Sequence, residues 1–237
     1  MNLFKSVIKD MKSFLNSCHQ KKVLLDISHP LIDEKSFIIT YSKNRERLND
    51  ISNYATYFLK LIENKQYLCL LNDGSILQGY YKFSSDGNTL IEGCLIYLPN
   101  PGLTVSSEFK KMKEFEEKTS EYLSEYTARY IRIDFDVDPT QYKELIHPYC
   151  HIHIGYESDY RISIDKFPFF SEFIKFIMFL NNQDEWMEII PNKINKSNSS
   201  ISVDIETFMK ERVKNSKDKF ISSNMSASEK EHYKIVI

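Results

Sequence analysis

The chain has 237 residues, 42% of them hydrophobic, with 31 Lys plus Arg against 33 Asp plus Glu and a formal net charge of −2. That length and apolar content suffice for a sizeable core, and the near-neutral balance excludes a global basic field that would gather nucleic acid, so any such contact has to be local. The most apolar segment, "FPFFSEFIKFIMFL", is too short for a membrane span and carries Glu172 and Lys175, while Lys5, Lys9, Asp10 and Lys12 break the N-terminal run as no signal-peptide core would.

In chain order, Leu3, Phe4, Val7, Ile8, Met11, Phe14, Leu15 and Cys18 recur at helical spacing and predict a first amphipathic helix. A second is expected over about 44–63, with Leu48, Ile51, Ala55, Phe58, Leu59 and Ile62 on one face. The runs "YLCLL", "SILQGYYKF" and "TLIEGCLIYL" are separated by "NDG" and "SSDGN", which are turn signals, so they read as an antiparallel meander. The charge-dense stretch from Ser106 to Thr127 reads as an exposed helix, followed by three short alternating runs. Pro168 can then open a helix whose body is "FFSEFIKFIMFL", because a first turn does not need the missing N–H. The expectation is an α+β fold: an antiparallel sheet of about six strands, its apolar face covered by the first two helices and the Pro168 helix. Residues 1–190 are expected to form a single domain, 191–200 a polar linker, and 201–237 a C-terminal helical extension carrying Ile201, Ile205, Phe208, Met209 and Val213 on one stripe. Cys18, Cys69, Cys94 and Cys150 show no Cys-x-x-Cys spacing, and three of these four sit in apolar runs, which points to reduced thiols and a cytoplasmic location.

The three short runs carry the chemistry. "HPYCHIHIG" holds three of the six histidines of the chain, and "RYIRIDFDVDP" puts an aspartate at every second position. Because strand side chains alternate between faces, Ile131, Ile133, Phe135 and Val137 should oppose Arg132, Asp134, Asp136 and Asp138. Likewise Ile152 and Ile154 should oppose His151 and His153, and Ile162 and Ile164 should oppose Arg161, Ser163 and Asp165. If all three strands bury their isoleucines in one sheet, their polar faces coincide. Like charges gathered this way repel unless a cation or a histidine compensates them. Two histidines and a carboxylate match the ligand set of a mononuclear zinc, manganese or iron site, and the carboxylates could instead hold magnesium or manganese with a histidine as general base. The candidate metal ligands and catalytic groups are therefore Asp134, Asp136, His151 and His153, with Arg161 to steady a phosphate. A purely structural His–Asp surface and metal-free acid–base work stay open beside this reading. His147, in the loop before Pro148, could complete a site or cap a turn, with the turn role favoured, and His19, His29 and His232 are isolated.

Several familiar patterns do not fit. A histidine-triad phosphoesterase would have a third histidine where Gly155 stands, a two-histidine phosphoesterase needs a second such motif, and a primase-type site needs a longer separation between "RIDFDVD" and His151. None of the six glycines forms a phosphate loop, so no nucleotide site is evident. Lys110, Lys111 and Lys113 are offset by Glu114, Glu116 and Glu117, which reads as a solvated helix face.

The block "RYIRIDFDVDP…HPYCHIHIG…YRISIDKFPFFSEFIKFI" resembles the bacterial domain-of-unknown-function family 2290, most clearly over about 130–180, with the N-terminal half alike in overall layout. The same block is similar to the His-x-His-x-Gly segment of small toxin families. The first resemblance implies context: such proteins are encoded beside a helicase in some prokaryotic anti-phage defence systems, so a helicase partner would supply nucleic-acid engagement and ATP hydrolysis. It brings no established active site, so the site residues rest on the strand alternation. The resulting expectation is a metal-dependent nuclease or phosphodiesterase effector. The alternatives are a non-catalytic accessory subunit that docks a helicase, or a toxin of a toxin–antitoxin module.

Overall fold

The computed structural model describes residues 2–42, 54–101, 129–156, 158–181, 220–222 and 226. Its elements, in order, are α1 (Leu3–Gln20), β1 (Leu24–Ile27), β2 (Leu31–Asp33), β3 (Ile38–Thr40), α2 (Tyr54–Glu63), β4 (Cys69–Leu71), β5 (Ile76–Phe83), β6 (Leu90–Leu98) and β7 (Ile131–Asp136). There follow β8 (Cys150–Ile154), β9 (Ile162–Ser163), β10 (Lys166–Pro168), α3 (Phe170–Asn181) and β11 (Phe220–Ser222). The expected exposed helix at 106–127, the linker at 191–200 and the helical stripe from Ile201 to Val213 lie outside the described residues. Within the 201–237 extension, the described residues 220–222 form a strand.

The six strands read from alternation and turn signals are β4 to β9, and they pair in sequence order as an antiparallel meander. Three more join them from the segment after α1. β1 pairs with β4, whereas β3 takes the far end of β5 through Ile38↔Lys82 and Ile39↔Tyr81 and carries β2 on its outer side. β5 is long enough for β4 and β3 to share one of its edges. The chain is thus α+β, as its alternating and helical periods require.

One face of the sheet is the main core. Leu77, Tyr81, Leu95, Ile133, Phe135 and Ile152 point to it, and α1 and α3 cover it with Phe4, Val7, Met11, Phe170, Phe173 and Ile177. Glu172, in the first turn of α3, is only 2% exposed and is held by Lys175 Nζ at 2.6 Å, which makes a carboxylate tolerable at that depth.

Two placements differ from the sequence reading. α2 lies on the opposite face, where Tyr54, Tyr57, Phe58 and Leu61 pack with Leu70, Ile76, Leu98 and Tyr130. The reason is that β4, β5 and β6 are apolar on both sides at that end, so a second helix is needed to keep water off. Pro168 does not open the helix: it ends β10, in register with Phe220 of β11, and α3 starts at Phe170. A residue without an N–H is accepted at the end of such a short two-stranded ribbon.

The ribbon presses Phe167 onto the sheet at Gly93. A Cβ at Gly93 would come within 2.6 Å of the Phe167 ring, which is fully buried between Tyr81 and Phe135, so only glycine lets the ribbon approach. Gly93→Ala should therefore destabilise the fold by about 1–3 kcal/mol, the usual cost of overpacking. Thermal or urea unfolding measures this, and an unchanged midpoint would refute the close-packing account.

Candidate metal centre

The face opposite the main core becomes polar beyond α2. Its residues come from three neighbouring strands in fixed register: Cys94↔Asp134 and Ile96↔Arg132 between β6 and β7, then Asp134↔His151 and Arg132↔His153 between β7 and β8. The alternation holds where the sequence predicts it for Ile131, Ile133, Phe135 and Ile152, which are buried in the core, but Val137 and Ile154, expected on the same buried face, lie past or at the strand ends and are exposed. Ser163 of β9 stands beside His151 in the ladder. One His or Asp atom from each of Asp134, His151 and His153 lies within 4.8 Å of the others, and among the described residues this is the one such group of three.

The two rings are locked in one tautomer by the loops on either side of β8. His151 Nδ1 lies 2.9 Å from the carbonyl of Pro148, and His153 Nδ1 lies 3.3 Å from the carbonyl of Ser158. A carbonyl only accepts, so each Nδ1 carries the hydrogen and each Nε2 presents a lone pair. The first carbonyl belongs to the proline in "HPYC". The second is delivered by the turn at Gly155, whose φ of +89° suits glycine, and whose N–H is held by the Tyr130 carbonyl at 2.8 Å. Backbone carbonyls behind the distal nitrogens are the usual support of metal-binding histidines.

Both Nε2 atoms converge on one carboxylate oxygen. Asp134 Oδ2 is 3.4 Å from His153 Nε2 and 3.8 Å from His151 Nε2. His151 and His153 are 3% and 4% exposed, and His151 Nε2 is buried with no hydrogen-bond partner. A bare lone pair directed at a carboxylate oxygen leaves a gap that a proton or a cation would fill. Burial acts to raise the Asp134 pKa, but the Arg132 charge, the two neighbouring imidazoles and the Cys94 thiol outweigh it and hold the carboxyl down to about 2. Burial pushes His151 down to about 4, only partly offset by Asp134 and the Pro148 carbonyl, so its ring is neutral near neutral pH.

The other sequence candidates are placed differently. Asp136 shares the face but ends β7, and its Oδ1 accepts the Asp138 N–H at 2.8 Å in the turn that follows. Asp138 lies past the strand and caps Thr140, so neither carboxylate joins the cluster. Arg161 precedes β9, because that strand is only Ile162–Ser163, and it donates to the Asp159 carbonyl at 3.3 Å.

Three groups that were not among the candidate ligands are at the site. Arg132 Nε donates to Asp134 Oδ2 at 2.7 Å and its Nη2 donates to His153 Nε2 at 3.0 Å. The signal for it was its position two residues from Asp134 on the same face. His147 is not merely a turn residue: the 143–147 turn, with Leu145 at φ +62°, sets its ring 5.0 Å from that of His151 at 63°. Burial and the charge of Arg161 push His147 below the ordinary histidine range. Cys94 stands opposite Asp134 in the β6–β7 register, and its thiol helps to hold that carboxyl down. All four cysteines are free, and no described helix is long and apolar enough to cross a membrane.

The depressed histidine gives a pH signature. The folded state favours neutral His151, so its contribution to stability is complete above the ordinary value of 6.5 and is lost as pH falls from there to about 4. Asp134 contributes above 3.8 and loses that contribution only as pH falls towards about 2. In chelator, the melting temperature of the wild type should therefore drop more between pH 6.5 and about 4 than that of His151→Asn. Parallel curves would refute the buried neutral ring.

Comparison with curated proteins and with solved structures gave no match. A family model does match, over residues 24–237, under the description of an uncharacterized conserved protein. With that match spanning most of the sequence, the chain belongs to the DUF2290 family.

Proposed function

We propose that this chain is a metal-dependent nuclease or phosphodiesterase, acting as the effector subunit beside a helicase partner in prokaryotic anti-phage defence. The observation that carries the catalytic part is the donor set: two imidazole Nε2 atoms and one carboxylate oxygen within 4.8 Å, each ring backed by a carbonyl. Its support for a metal is chemical, because two neutral imidazoles and one ionised carboxylate form a three-ligand site with positions left open. Zinc and manganese suit these donors, and magnesium less so, since it takes oxygen ligands. The helicase and defence context rests on family resemblance.

In this reading His151, His153 and Asp134 would hold a divalent metal, which would supply Lewis-acid activation of water and of a phosphoryl group. The Pro148 and Ser158 carbonyls keep both rings in the binding tautomer. Low-pKa Asp134 remains charged throughout the physiological range. His147 is half-buried, with its ring 5.0 Å from that of His151.

A second reading has its own observation. Arg132 already neutralises Asp134 at 2.7 Å, as it would in a structural cluster, which favours a non-catalytic accessory subunit docking the helicase. Incubating labelled single- and double-stranded DNA and RNA with the chain, with and without zinc, manganese or magnesium, separates the two. Metal-dependent cleavage should appear and fall to background in the double variant His151→Ala, His153→Ala at matched folded fraction. Absence of cleavage with every metal, with the helicase present as well, would rule out the nuclease and leave the docking role.

A further inference from the structure

The Arg132 guanidinium sits where a metal would sit. In a hydrogen bond the hydrogen lies about 1.9–2.0 Å from its acceptor, along the lone pair. Metal–nitrogen and metal–oxygen bonds of about 2.0–2.2 Å use the same lone pairs. The hydrogens that Arg132 directs at His153 Nε2 and Asp134 Oδ2 therefore fill the volume an ion bound there would need, and the two positive charges would repel at contact distance. Arg132 nevertheless satisfies two of the three donors. His151 Nε2, buried and 3.8 Å from the shared Asp134 oxygen, is left without a partner. An arginine fork is planar and here commits its Nε–H and an Nη2–H to Asp134 and His153, which leaves His151 Nε2 unmet, whereas a single ion can meet all three. The side chain of Arg132 is 34% exposed, so it has a way out towards solvent, while the rings it contacts are almost fully covered.

We propose that Arg132 and a divalent metal are alternative occupants of one cation position, and that metal binding releases the guanidinium to hold the phosphate of the substrate. The inference rests on the metal reading of this site. Without metal, Arg132 neutralises Asp134 and keeps the buried carboxylate tolerable. With metal, that charge is compensated by the ion, and a freed guanidinium beside it offers the planar, two-pronged donor suited to phosphate. Arg132 is then a positioning residue for an anionic substrate and also sets how tightly the site loads.

The test uses cobalt(II) and inorganic phosphate as probes, with absorption spectra and calorimetry as readouts, on the full chain and on Arg132→Gln. Removing the competing cation should tighten cobalt binding by about tenfold or more, the equivalent of one charge-assisted hydrogen bond. Cobalt should also raise the melting temperature of Arg132→Gln more than that of the wild type. Phosphate should bind the cobalt-loaded wild type and fail to bind cobalt-loaded Arg132→Gln. If Arg132→Gln does not fold, Arg132→Met replaces it in the cobalt comparison, because it too removes the charge, and Arg132→Lys serves the phosphate comparison alone, because an ammonium keeps the charge and loses the fork. Equal cobalt affinities, or phosphate binding that ignores the substitution, would overturn the shared position while leaving the metal site intact. No cobalt binding by either chain would overturn the metal reading itself.

Discussion

The polar half of this molecule depends on one constraint: Asp134 is carried into a largely covered position by the pairing of β7 with β8, and its charge has to be met there. Everything around it serves that need. Arg132 reaches it from the same strand, Cys94 from the neighbouring strand, and two imidazoles from the other side. Burying an ionised carboxylate costs several kcal/mol unless such partners are supplied, so the register of three strands is tied to one side chain. A slip of one residue in β8 would send both histidines into the core and two isoleucines to the carboxylate.

The main core makes that precision affordable. α1 and α3 close the apolar face, the β10–β11 ribbon seats Phe167 against Gly93, and α2 seals the upper end of the other face with tyrosines and Phe58. Tyr156, immediately after the Gly155 turn, stacks edge-on to both Tyr54 and Tyr130, so the loop that orients His153 is anchored to the α2 cluster. Orientation of the site is thereby coupled to packing rather than left to a free loop, which is what a preorganised centre requires.

Much of this was legible from the residues. Period-two alternation placed Asp134, His151 and His153 on one face, and the Asp-Gly turn signals gave the meander. The missing parts have identifiable causes. β2 and β3 are three residues each and mostly half-exposed, too short for alternation to register. The face chosen by α2 was hidden because the strands beneath it are apolar on both sides. Pairing of Asp134 with His151, and the exclusion of Asp136, depend on where β7 ends and on the turn chemistry of Asp138 and Thr140. Cys94 read as a small hydrophobe because its polar neighbour is more than thirty residues away in sequence, a contact that only register reveals.

The central claim is that Asp134, His151 and His153 form a cation site rather than a permanently closed polar cluster. The most direct measurement is a crystal structure grown with zinc or manganese, with anomalous scattering recorded at the metal edge. An anomalous peak is expected about 2.0–2.2 Å from both Nε2 atoms and an Asp134 oxygen, with Arg132 withdrawn. Arg132 still bridging Asp134 and His153, with no peak between the rings at millimolar metal, would contradict it.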